Sequence, residues 1–525
     1  MTLRLEIVVD EGRLLLWHRR LCARIEKLSP GAAVRVRFAP AQGAPWPGSV
    51  TALMKLERVL LRRRRRETLF DPATPPPPGF EGAADVVVDL TGAGAEMATG
   101  VRMLRPRYGG YCGELSAVAL LLQQRRPELS LEDVGRGAIV ASGFASMEAA
   151  DGLTGGLESI ASRIATLIEQ ALISTSPVIT PTAPAQPVTC PGGIAAFLLR
   201  DAAFRAARMI YRLTCNSPHW RIGWRFIDGP GALETGSMAG PTWRVLAGGD
   251  NCFAADPFPI ARGGKHYIFY ESLDYATDKG VICAQQVDAD GPVGTPVRVL
   301  EEPWHLSYPF LIEEGGTLYM IPEASVSGAI SVYRCVDFPG KWECVARLFD
   351  DVEAADATIF RHAGRFWMTS VTREGVGGYS DTLRIHYAPD LFGRWEEHAR
   401  RPALVDARFA RPAGAVVEIG GHLLRPVQDC AFGYGKRTII MRIDALDAER
   451  FEQTQVGVLA PGDHWPGTRL HTINRSGRLE CVDGAIITPR NPTLRALAHR
   501  VIDSGGARHD PAPQGALETS GVVTP

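Results

Sequence analysis

The stretch Ala254–Ser272, AADPFPIARGGKHYIFYES, has the pattern of a β-hairpin, and similar stretches recur along the second half of the chain. Apolar side chains alternate with other residues on either side of the Gly263-Gly264 turn, as they do when one face of a strand pair is buried. The related stretches are SYPFLIEEGGTLYMIPEAS from Ser307, ADATIFRHAGRFWMTSV from Ala355, RPAGAVVEIGGHLLRPVQD from Arg411 and RLHTINRSGRLECVDG from Arg469.

The turn glycines of these five stretches are spaced at 52, 48, 57 and 56 residues, at Gly264, Gly316, Gly364, Gly421 and Gly477. A second repeated motif, FPGKWE and FGRWE, places Trp342 and Trp395 53 residues apart. A hairpin unit repeated at roughly 50 residues is typical of a radial array of four-stranded blades. The spacing therefore predicts a five-bladed β-propeller, and a β-sandwich with glycine hairpins is the alternative.

The overall charge and the apolar patterning exclude several classes of protein. Lysine and arginine total 57 against 58 for aspartate and glutamate, which argues against a general nucleic-acid or membrane-surface binder and leaves a local charged patch open. The sequence contains no apolar run of about 18 residues, and its start lacks the pattern of a signal peptide. These features predict a cytoplasmic protein with no nucleic-acid partner and no stable membrane insertion.

Nothing in the sequence indicates a cofactor or a metal. The ten cysteines are scattered singly, without a CxxC pair, and are expected to be reduced thiols. The chain has neither a GxGxxG nor a GxxxxGK[ST] loop, so the glycine-rich cradle of a nucleotide is not predicted.

The first part of the chain has the pattern of an α/β sheet. Strands at residues 3–9, 33–38 and 84–92 alternate with amphipathic helices, which is the order of a parallel sheet with covering helices. We predict an α/β domain over residues 1–173, a Pro-rich linker over 174–192, the propeller with a preceding helix and closing strands over 193–490, and a disordered tail over 491–525.

The segments LRLEIVVDEGRLLLWHRRLCARI, DVVVDLTG and LRPRYGGYCGEL resemble the N-terminal domain of methionyl-tRNA-type formyltransferases. The resemblance implies that fold, together with a catalytic Asn, His and Asp. No histidine lies between Arg19 and Pro218, and His18 falls on the first helix. We therefore expect a degenerate, inactive formyltransferase-like domain, and retained formyl or acyl transfer is the most remote alternative.

The repeat alignment predicts a site at one face of the propeller, where first strands begin and second strands end. Eight residues before the turn glycines stand Asp256, Tyr308, Asp356, Ala413 and Arg469, and seven residues after them stand Glu271, Glu323, Val371, Gln428 and Gly484. Four carboxylates from three blades should converge there. A carboxylic acid and a carboxylate are the pair that glycosyl transfer needs.

This part also resembles five-bladed glycoside hydrolases of the arabinanase and xylosidase kind, in which an Asp in an ADP-like start of the first blade is the base. The resemblance implies that Asp256 is the base or nucleophile. Glu323 is the candidate acid and Asp356 the pKa-setting group, although Tyr308 replaces an acid in the second blade. The expected substrate contacts are Glu271, His305, Tyr308, Arg411, Arg425, Gln428, Asp429 and His471, and structural ion pairs are the alternative for the charged ones.

Over residues 219–485, the segments HLSYPFLI, YMIPEAS, FPGKW, ARPAG, LLRPVQDCAFGYG and LHTINRSGRL look like the N-terminal propeller region of glucosamine inositolphosphorylceramide transferases. The resemblance implies a carbohydrate or glycolipid context. The leading hypothesis is a carbohydrate-active protein that handles a sugar or sugar-phosphate group in glycan or glycolipid synthesis. A non-catalytic glycan-binding or partner-binding scaffold and a glycoside hydrolase are the alternatives.

Overall fold

The structure of the chain is a computed structural model that describes residues 3–29, 31–40, 46–61, 67–76, 79–92, 100–148, 150–173, 180–181, 193–246 and 251–505. Most of the predicted linker and the predicted tail from residue 506 onward lie outside these ranges. The first part of that predicted tail, Pro492–Gly505, is helical instead. None of the helices in the described ranges combines the length and apolar character that crossing a bilayer requires.

The first region is an α/β arrangement. Its elements are β1 (Arg4–Asp10), α1 (Leu16–Leu28), β2 (Ala33–Ala39), α2 (Gly48–Leu60), β3 (Val86–Asp89), β4 (Arg102–Tyr108), β5 (Tyr111–Cys112), α3 (Glu114–Leu122), β6 (Leu129–Asp133), β7 (Ala138–Phe144), α4 (Gly152–Ile173) and β8 (Thr180–Pro181). The apolar run in β1 is buried because β1 lies between β2 and β3, and both pair with it in parallel. Helix α4 is buried along most of its length.

The second region consists mainly of antiparallel strands. Its elements are α5 (Ile194–Thr214), β9 (Cys215–Phe226), α6 (Ala232–Thr235), β10 (Arg244–Leu246), β11 (Cys252–Arg262), β12 (Lys265–Asp274), β13 (Lys279–Val287), β14 (Pro292–Leu300), β15 (Ser307–Glu314), β16 (Thr317–Glu323), β17 (Ala329–Asp337), β18 (Lys341–Asp350), β19 (Ala354–His362), β20 (Arg365–Thr372), β21 (Thr382–Ala388), β22 (Glu396–Glu397), β23 (Leu404–Asp406), β24 (Val417–Ile419), β25 (His422–Asp429), β26 (Arg437–Leu446), β27 (Phe451–Leu459), β28 (Ile473–Ser476), β29 (Leu479–Pro489) and α7 (Pro492–Gly505).

These strands form a propeller-like arrangement of four separate four-stranded sheets. The sheets have the strand orders β11-β12-β13-β14, β15-β16-β17-β18, β24-β25-β26-β27 and β10-β9-β29-β28. The strands β19 to β22 form a further antiparallel set that belongs to a larger sheet. The first strands of successive sheets are neighbours, with β28 beside β11, β11 beside β15 and β15 beside β19.

The last of these sheets, which we call the closing sheet (β10-β9-β29-β28), joins distant parts of the chain. Strand β9 pairs antiparallel with β29, and Trp220 lies opposite Ala485. Trp220, Trp224 and Cys481 are buried around this pairing. Ring closure thus depends on hydrogen bonds between strands about 250 residues apart.

The two regions share one continuous sheet, which the sequence did not predict. Strand β7 of the α/β region pairs in parallel with β23, where Gly143 lies opposite Val405. A Cβ atom on Gly143 would lie 1.8 Å from the Val405 carbonyl oxygen, so glycine is needed for the close approach. The Val405 side chain also belongs to the hydrophobic core of the α/β region.

A buried ion pair strengthens the contact between the two regions. Arg163, on α4, is fully buried and its Nη1 lies 3.2 Å from Asp381 Oδ1. Arg163 also donates to the Thr382 hydroxyl and to the carbonyl of Glu374. The other oxygen of Asp381 accepts a 2.7 Å hydrogen bond from the backbone of Ser146. The second region therefore supplies the partners of Arg163, and the α/β region supplies partners of Asp381.

We expect Arg163→Ala to lower the free energy of unfolding by about 3–5 kcal/mol, because it leaves Asp381 as a buried charge without its partner. Arg136→Ala is the control: that arginine is exposed and lies 3.9 Å from Asp133, so its loss should cost less than about 1 kcal/mol. Urea titrations of both variants measure the difference. Equal effects of the two substitutions would contradict the structural role of the Arg163–Asp381 pair.

Candidate functional site

The same backbone irregularity opens three successive first strands. Asp256, Tyr308 and Asp356 have positive φ angles of 52°, 43° and 54°, and the strand register shifts at each of them. A β-bulge of this kind turns a side chain away from the regular alternation and is frequent beside functional sites. The eight-residue count before the turn glycine thus identified equivalent positions in these three repeats.

The positive φ angle has different causes at these positions. Aspartate enters the left-handed region more readily than most residues, whereas tyrosine does so at a cost. The hydroxyl of Tyr308 is held on both sides, by Thr358 Oγ1 at 2.8 Å and by the backbone N–H of Gly414 at 2.9 Å. Tyr308 is fully buried, so it acts as a strut between sheets.

Asp256 lies in a buried hydrogen-bond network between β11 and the closing sheet. Its Oδ1 accepts a 2.7 Å hydrogen bond from the Thr472 hydroxyl, and its Oδ2 accepts a 3.3 Å bond from the backbone N–H of Tyr308. Its own backbone N–H donates to Asp483 Oδ2 at 3.0 Å. These contacts fix the carboxyl in one orientation.

His471 connects Asp256 to Asp483. Its Nδ1 lies 2.6 Å from Asp483 Oδ2, and its Nε2 lies 3.8 Å from Asp256 Oδ1. The imidazole stacks on the indole of Trp220 with ring centroids 3.8 Å apart. The pKa of His471 is raised, because the attraction of Asp483 and Asp256 outweighs desolvation by burial, the largest single effect.

Asp356 is the centre of a second network, across from the first. Arg411 Nε donates to Asp356 Oδ2 at 2.7 Å, and the amide of Gln428 donates to the same oxygen at 3.1 Å. The guanidinium of Arg411 also lies 3.6 Å from Glu323 Oε2. Two carboxyls thus share one buried guanidinium.

Burial changes the proton affinity of both aspartates. Desolvation is the main cause that raises the pKa of Asp256 to about 7, with further contributions from Asp483, Glu271 and Asp356 against the attraction of His471. Desolvation likewise raises the pKa of Asp356 to about 7, and Glu323 adds to this while Arg411 opposes it. Both groups can therefore exchange protons near neutral pH.

Glu323 and His305 are partly exposed members of the site. The side chain of Glu323 is 13% exposed and accepts hydrogen bonds from Ser307 and Ser325. His305 Nε2 lies 3.2 Å from Glu271 Oε1, and this contact contributes to a raised pKa of His305 although burial opposes it. Glu271 itself is buried.

Two of the predicted substrate contacts are occupied by neighbouring protein groups. Arg425 is fully buried and donates to the carbonyls of Phe409 and Ala410 and to the side chain of Gln453. Asp429 accepts a 2.8 Å bond from Arg437. Neither is among the polar contacts that join Asp256, Asp356, Arg411 and Gln428.

Several members of the site were not predicted as such from the sequence. Tyr434 lies 3.4 Å from Arg411 through its hydroxyl and meets the His471 ring edge to face. Thr472 donates a hydrogen bond to Asp256, and Trp220 stacks on His471. Glu148, from the α/β region, contributes to the raised pKa of Arg411. The FGYG loop that follows the fourth hairpin was the available signal for Tyr434.

Asp256, His471 and Asp483 are also the group of side chains in the described ranges whose ligand atoms could hold a metal ion. Their candidate ligand atoms lie within 4.8 Å of one another and all three residues are buried. In the structure two of these atoms already contact each other, because His471 Nδ1 lies directly against Asp483 Oδ2.

The sequence similarity expected for the propeller region is confirmed. Residues 244–481 match the family model for the N-terminal part of glucosamine inositolphosphorylceramide transferase 1. The chain is 31% identical to the protein of that name from Arabidopsis thaliana over 318 residues, which are 55% of this chain and 41% of that protein. The protein from Oryza sativa subsp. indica is 28% identical over 260 residues, 47% and 35% of the two chains. The chain thus spans less than half the length of these curated relatives.

Solved structures with partial similarity include glycoside hydrolases. The family 117 enzyme Zg3597 from Zobellia galactanivorans gives a TM-score of 0.31 at 16% identity, with 47% of this chain and 78% of that chain covered. The RS223 β-xylosidase gives a TM-score of 0.32 at 12% identity, with 46% and 96% covered. The family match starts at residue 244, so the formyltransferase-like nature of the first region stays a prediction.

The raised pKa of Asp256 predicts how stability depends on pH. A carboxyl whose pKa rises from about 3.9 in the unfolded chain binds its proton more tightly when folded. The stability of the unmodified protein should therefore fall as the pH rises from about 4 to about 7. Asp256→Asn removes this titration. The difference in melting temperature, variant minus unmodified protein, should therefore become more positive between pH 5 and pH 8.

Thermal unfolding at several pH values measures this difference, which we expect to be on the order of 2 kcal/mol between pH 5 and pH 8. Asp278→Asn is the matched control, because Asp278 also has a positive φ angle, of 53°, but lies in an exposed turn. A melting-temperature difference for Asp256→Asn that does not change with pH would contradict the assignment.

Proposed function

We propose that this protein handles a sugar or sugar-phosphate group in glycan or glycolipid assembly, at the face where Asp256, Asp356 and Glu323 converge. The similarity of residues 244–481 to the transferases named above supports the substrate class. The observation that carries the chemistry is the pair of aspartates with pKa values raised to about 7, next to a glutamate that reaches solvent.

In this proposal Asp256 is the base or nucleophile. Its carboxyl is fixed by Thr472 and by the Tyr308 backbone, and its raised pKa suits a group that must accept a proton near neutral pH. His471, held by Asp483 and stacked on Trp220, is a positioning residue that adjusts the proton affinity of Asp256.

Glu323 and Asp356 together supply the acid. Asp356 and Glu323 share Arg411 and are close enough to hydrogen-bond each other. Burial raises the pKa of Asp356 to about 7, so Asp356 can hold a proton near neutral pH. Glu323 is the member that reaches solvent, so it delivers the proton to a leaving oxygen. In this proposal Asp356 keeps the pKa-setting role that was assigned to it from the sequence.

The substrate contacts that we retain are Arg411, Gln428, Glu271 and His305, whereas His471 is reassigned as the positioning residue described above. Tyr434 is added to them because it lies between Arg411 and His471. Arg425 and Asp429 are reassigned to structural roles, since Arg425 uses its donors on backbone carbonyls and Asp429 pairs with Arg437. Tyr308 is reassigned as the strut described above.

We further propose that the propeller has five blades, with β19 to β22 as the third blade. The antiparallel pairing of these strands and the position of β19 beside β15 support this count. A degenerate, inactive formyltransferase-like domain and a cytoplasmic location remain proposals that depend on the sequence alone.

A non-catalytic glycan-binding or partner-binding scaffold is the second candidate function. It is favoured by the burial of Asp356 and Arg411 in direct contact, since a carboxyl held in this way has little freedom to meet a sugar. Glycoside hydrolysis by the same carboxyls is the third candidate.

The test is the substitution Asp256→Asn in the full chain. Transfer is measured from a set of nucleotide sugars to an inositolphosphoryl lipid in detergent, and hydrolysis is measured on aryl glycosides. Loss of the base should reduce turnover by about 10²–10⁴-fold while binding of the lipid acceptor persists. Asp278→Asn, at an exposed turn with the same backbone conformation, should retain full turnover.

Three results would decide between the candidates. Turnover that survives Asp256→Asn would remove Asp256 from the mechanism. Binding of the glycan or lipid by the unmodified chain without any turnover would favour the scaffold. Release of sugar from aryl glycosides without transfer would favour the hydrolase.

A further inference from the structure

Helix α5 exposes an unusually apolar face to solvent. Its exposed large apolar side chains include Leu199, Met209, Ile210 and Leu213, each more than 60% accessible. With Ala195, Ala202 and Ala206 they recur every three or four residues, which places them on one side of an α-helix. We call these seven residues the apolar strip. At about 1.5 Å per residue, it extends for roughly 27 Å from Ala195 to Leu213.

The first turns of α5 contact the protein on another side, whereas Phe204, opposite the strip, is 66% exposed. Phe197 is buried, and Ile194 and Leu198 pack against the core of the α/β region. Further along the helix, Arg205 pairs with Asp201 of α5 itself at 2.7 Å, and Arg208 lies 3.9 Å from Asp151 of the α/β region. The helix is therefore fixed in a position that leaves its apolar strip without a protein partner among the described residues.

Helix α7 extends this surface. Its start lies beside the end of α5, because the backbone N–H of Arg490 donates to the carbonyl of Thr214 at 2.8 Å and Arg490 Nε donates to the carbonyl of Cys215. Leu494 and Leu497, in the first turns of α7, are both more than half exposed. The two helices thus present apolar side chains at the same end of the closing sheet.

The charges around the apolar strip are mostly positive. Helix α5 and residues 490–505 carry two aspartates, Asp201 and Asp503, and seven arginines, namely Arg200, Arg205, Arg208, Arg212, Arg490, Arg495 and Arg500. A two-fold pairing of this surface with a second copy would bring like charges together. An anionic lipid surface would instead complement both the arginines and the apolar side chains.

We propose that the apolar strip and the start of α7 are an interfacial docking surface for an anionic lipid bilayer. The strip would lie in the headgroup region, with Arg212 and Arg500, which are not among the paired arginines above, close to lipid phosphates and carboxylates. The helices lie on the bilayer and do not cross it, in keeping with the absence of a spanning helix in the described ranges.

The end of α5 is connected to the candidate site by a short stretch of β9. Strand β9 runs from Cys215, at the end of α5, to Trp220, which stacks on His471. Five residues of β-strand correspond to about 17 Å. A lipid-anchored acceptor could therefore present its headgroup to the site while the strip holds the membrane. This last step rests on the proposed function, whereas membrane binding does not.

The test is co-sedimentation of the full chain with vesicles of phosphatidylcholine and phosphatidylserine, compared with phosphatidylcholine alone. We expect binding to the anionic vesicles that weakens as salt is added. The double variant Met209→Glu with Leu213→Glu should bind at least about tenfold more weakly, because two charges replace apolar side chains in the interface.

The matched control is Val345→Glu with Val456→Glu. It introduces the same charges at two exposed apolar side chains on other sheets, at 40% and 49% accessibility. This control should bind like the unmodified chain, and melting temperatures of both double variants establish that they are folded.

Several outcomes would overturn the proposal. They are no binding of the unmodified chain to anionic vesicles, equal binding of the two double variants, or a dimer in sedimentation velocity that Met209→Glu with Leu213→Glu dissociates. Tighter vesicle binding by a chain truncated after Gly505 would instead identify residues 506–525 as the occupant of the strip. Vesicle binding without sugar transfer would uphold the docking surface and count against the proposed function alone.

Discussion

The pairing of β9 with β29 is the interaction on which the second half of the structure depends. It completes the closing sheet with two strands from opposite ends of the propeller region. The same pairing brings Trp220 onto the imidazole of His471 and places Asp483 where it accepts from the Asp256 backbone. It also brings the end of α5 beside the start of α7. Closure, site assembly and the exposed helical surface thus depend on one strand register.

The site places more carboxyls than basic side chains in a buried volume. Asp256 and Asp483 face His471, while Asp356 and Glu323 face Arg411. Each group has two carboxyls and one basic side chain, so full ionisation would leave excess negative charge where water cannot screen it. Proton uptake by a carboxyl relieves this excess. The raised pKa values of the two aspartates are therefore a property of the whole arrangement and not of either residue alone.

Much of the fold was predictable because repeats and alternation are local signals. The glycine spacing gave the hairpins, and counting from the glycine gave the three bulge positions. The segment RPVQD shows where this reasoning fails: Arg425 and Asp429 alternate onto one face of β25 and Gln428 onto the other, so only Gln428 joins Asp356. The parallel pairing of β7 with β23 was not predictable, because no local pattern specifies which distant strand will occupy an open sheet edge. The same limit applies to Arg163, whose partner Asp381 is remote in sequence.

The long separation between β9 and β29 has a consequence during protein synthesis. Strand β9 leaves the ribosome about 250 residues before β29, which corresponds to roughly 13–50 s at about 5–20 residues per second. Throughout this interval one edge of β9 lacks its final partner, and an unpaired edge is a template for pairing with other chains. A nascent chain of this architecture therefore has a defined period of exposure to aggregation, during which a chaperone bound to β9 would have the greatest effect on yield.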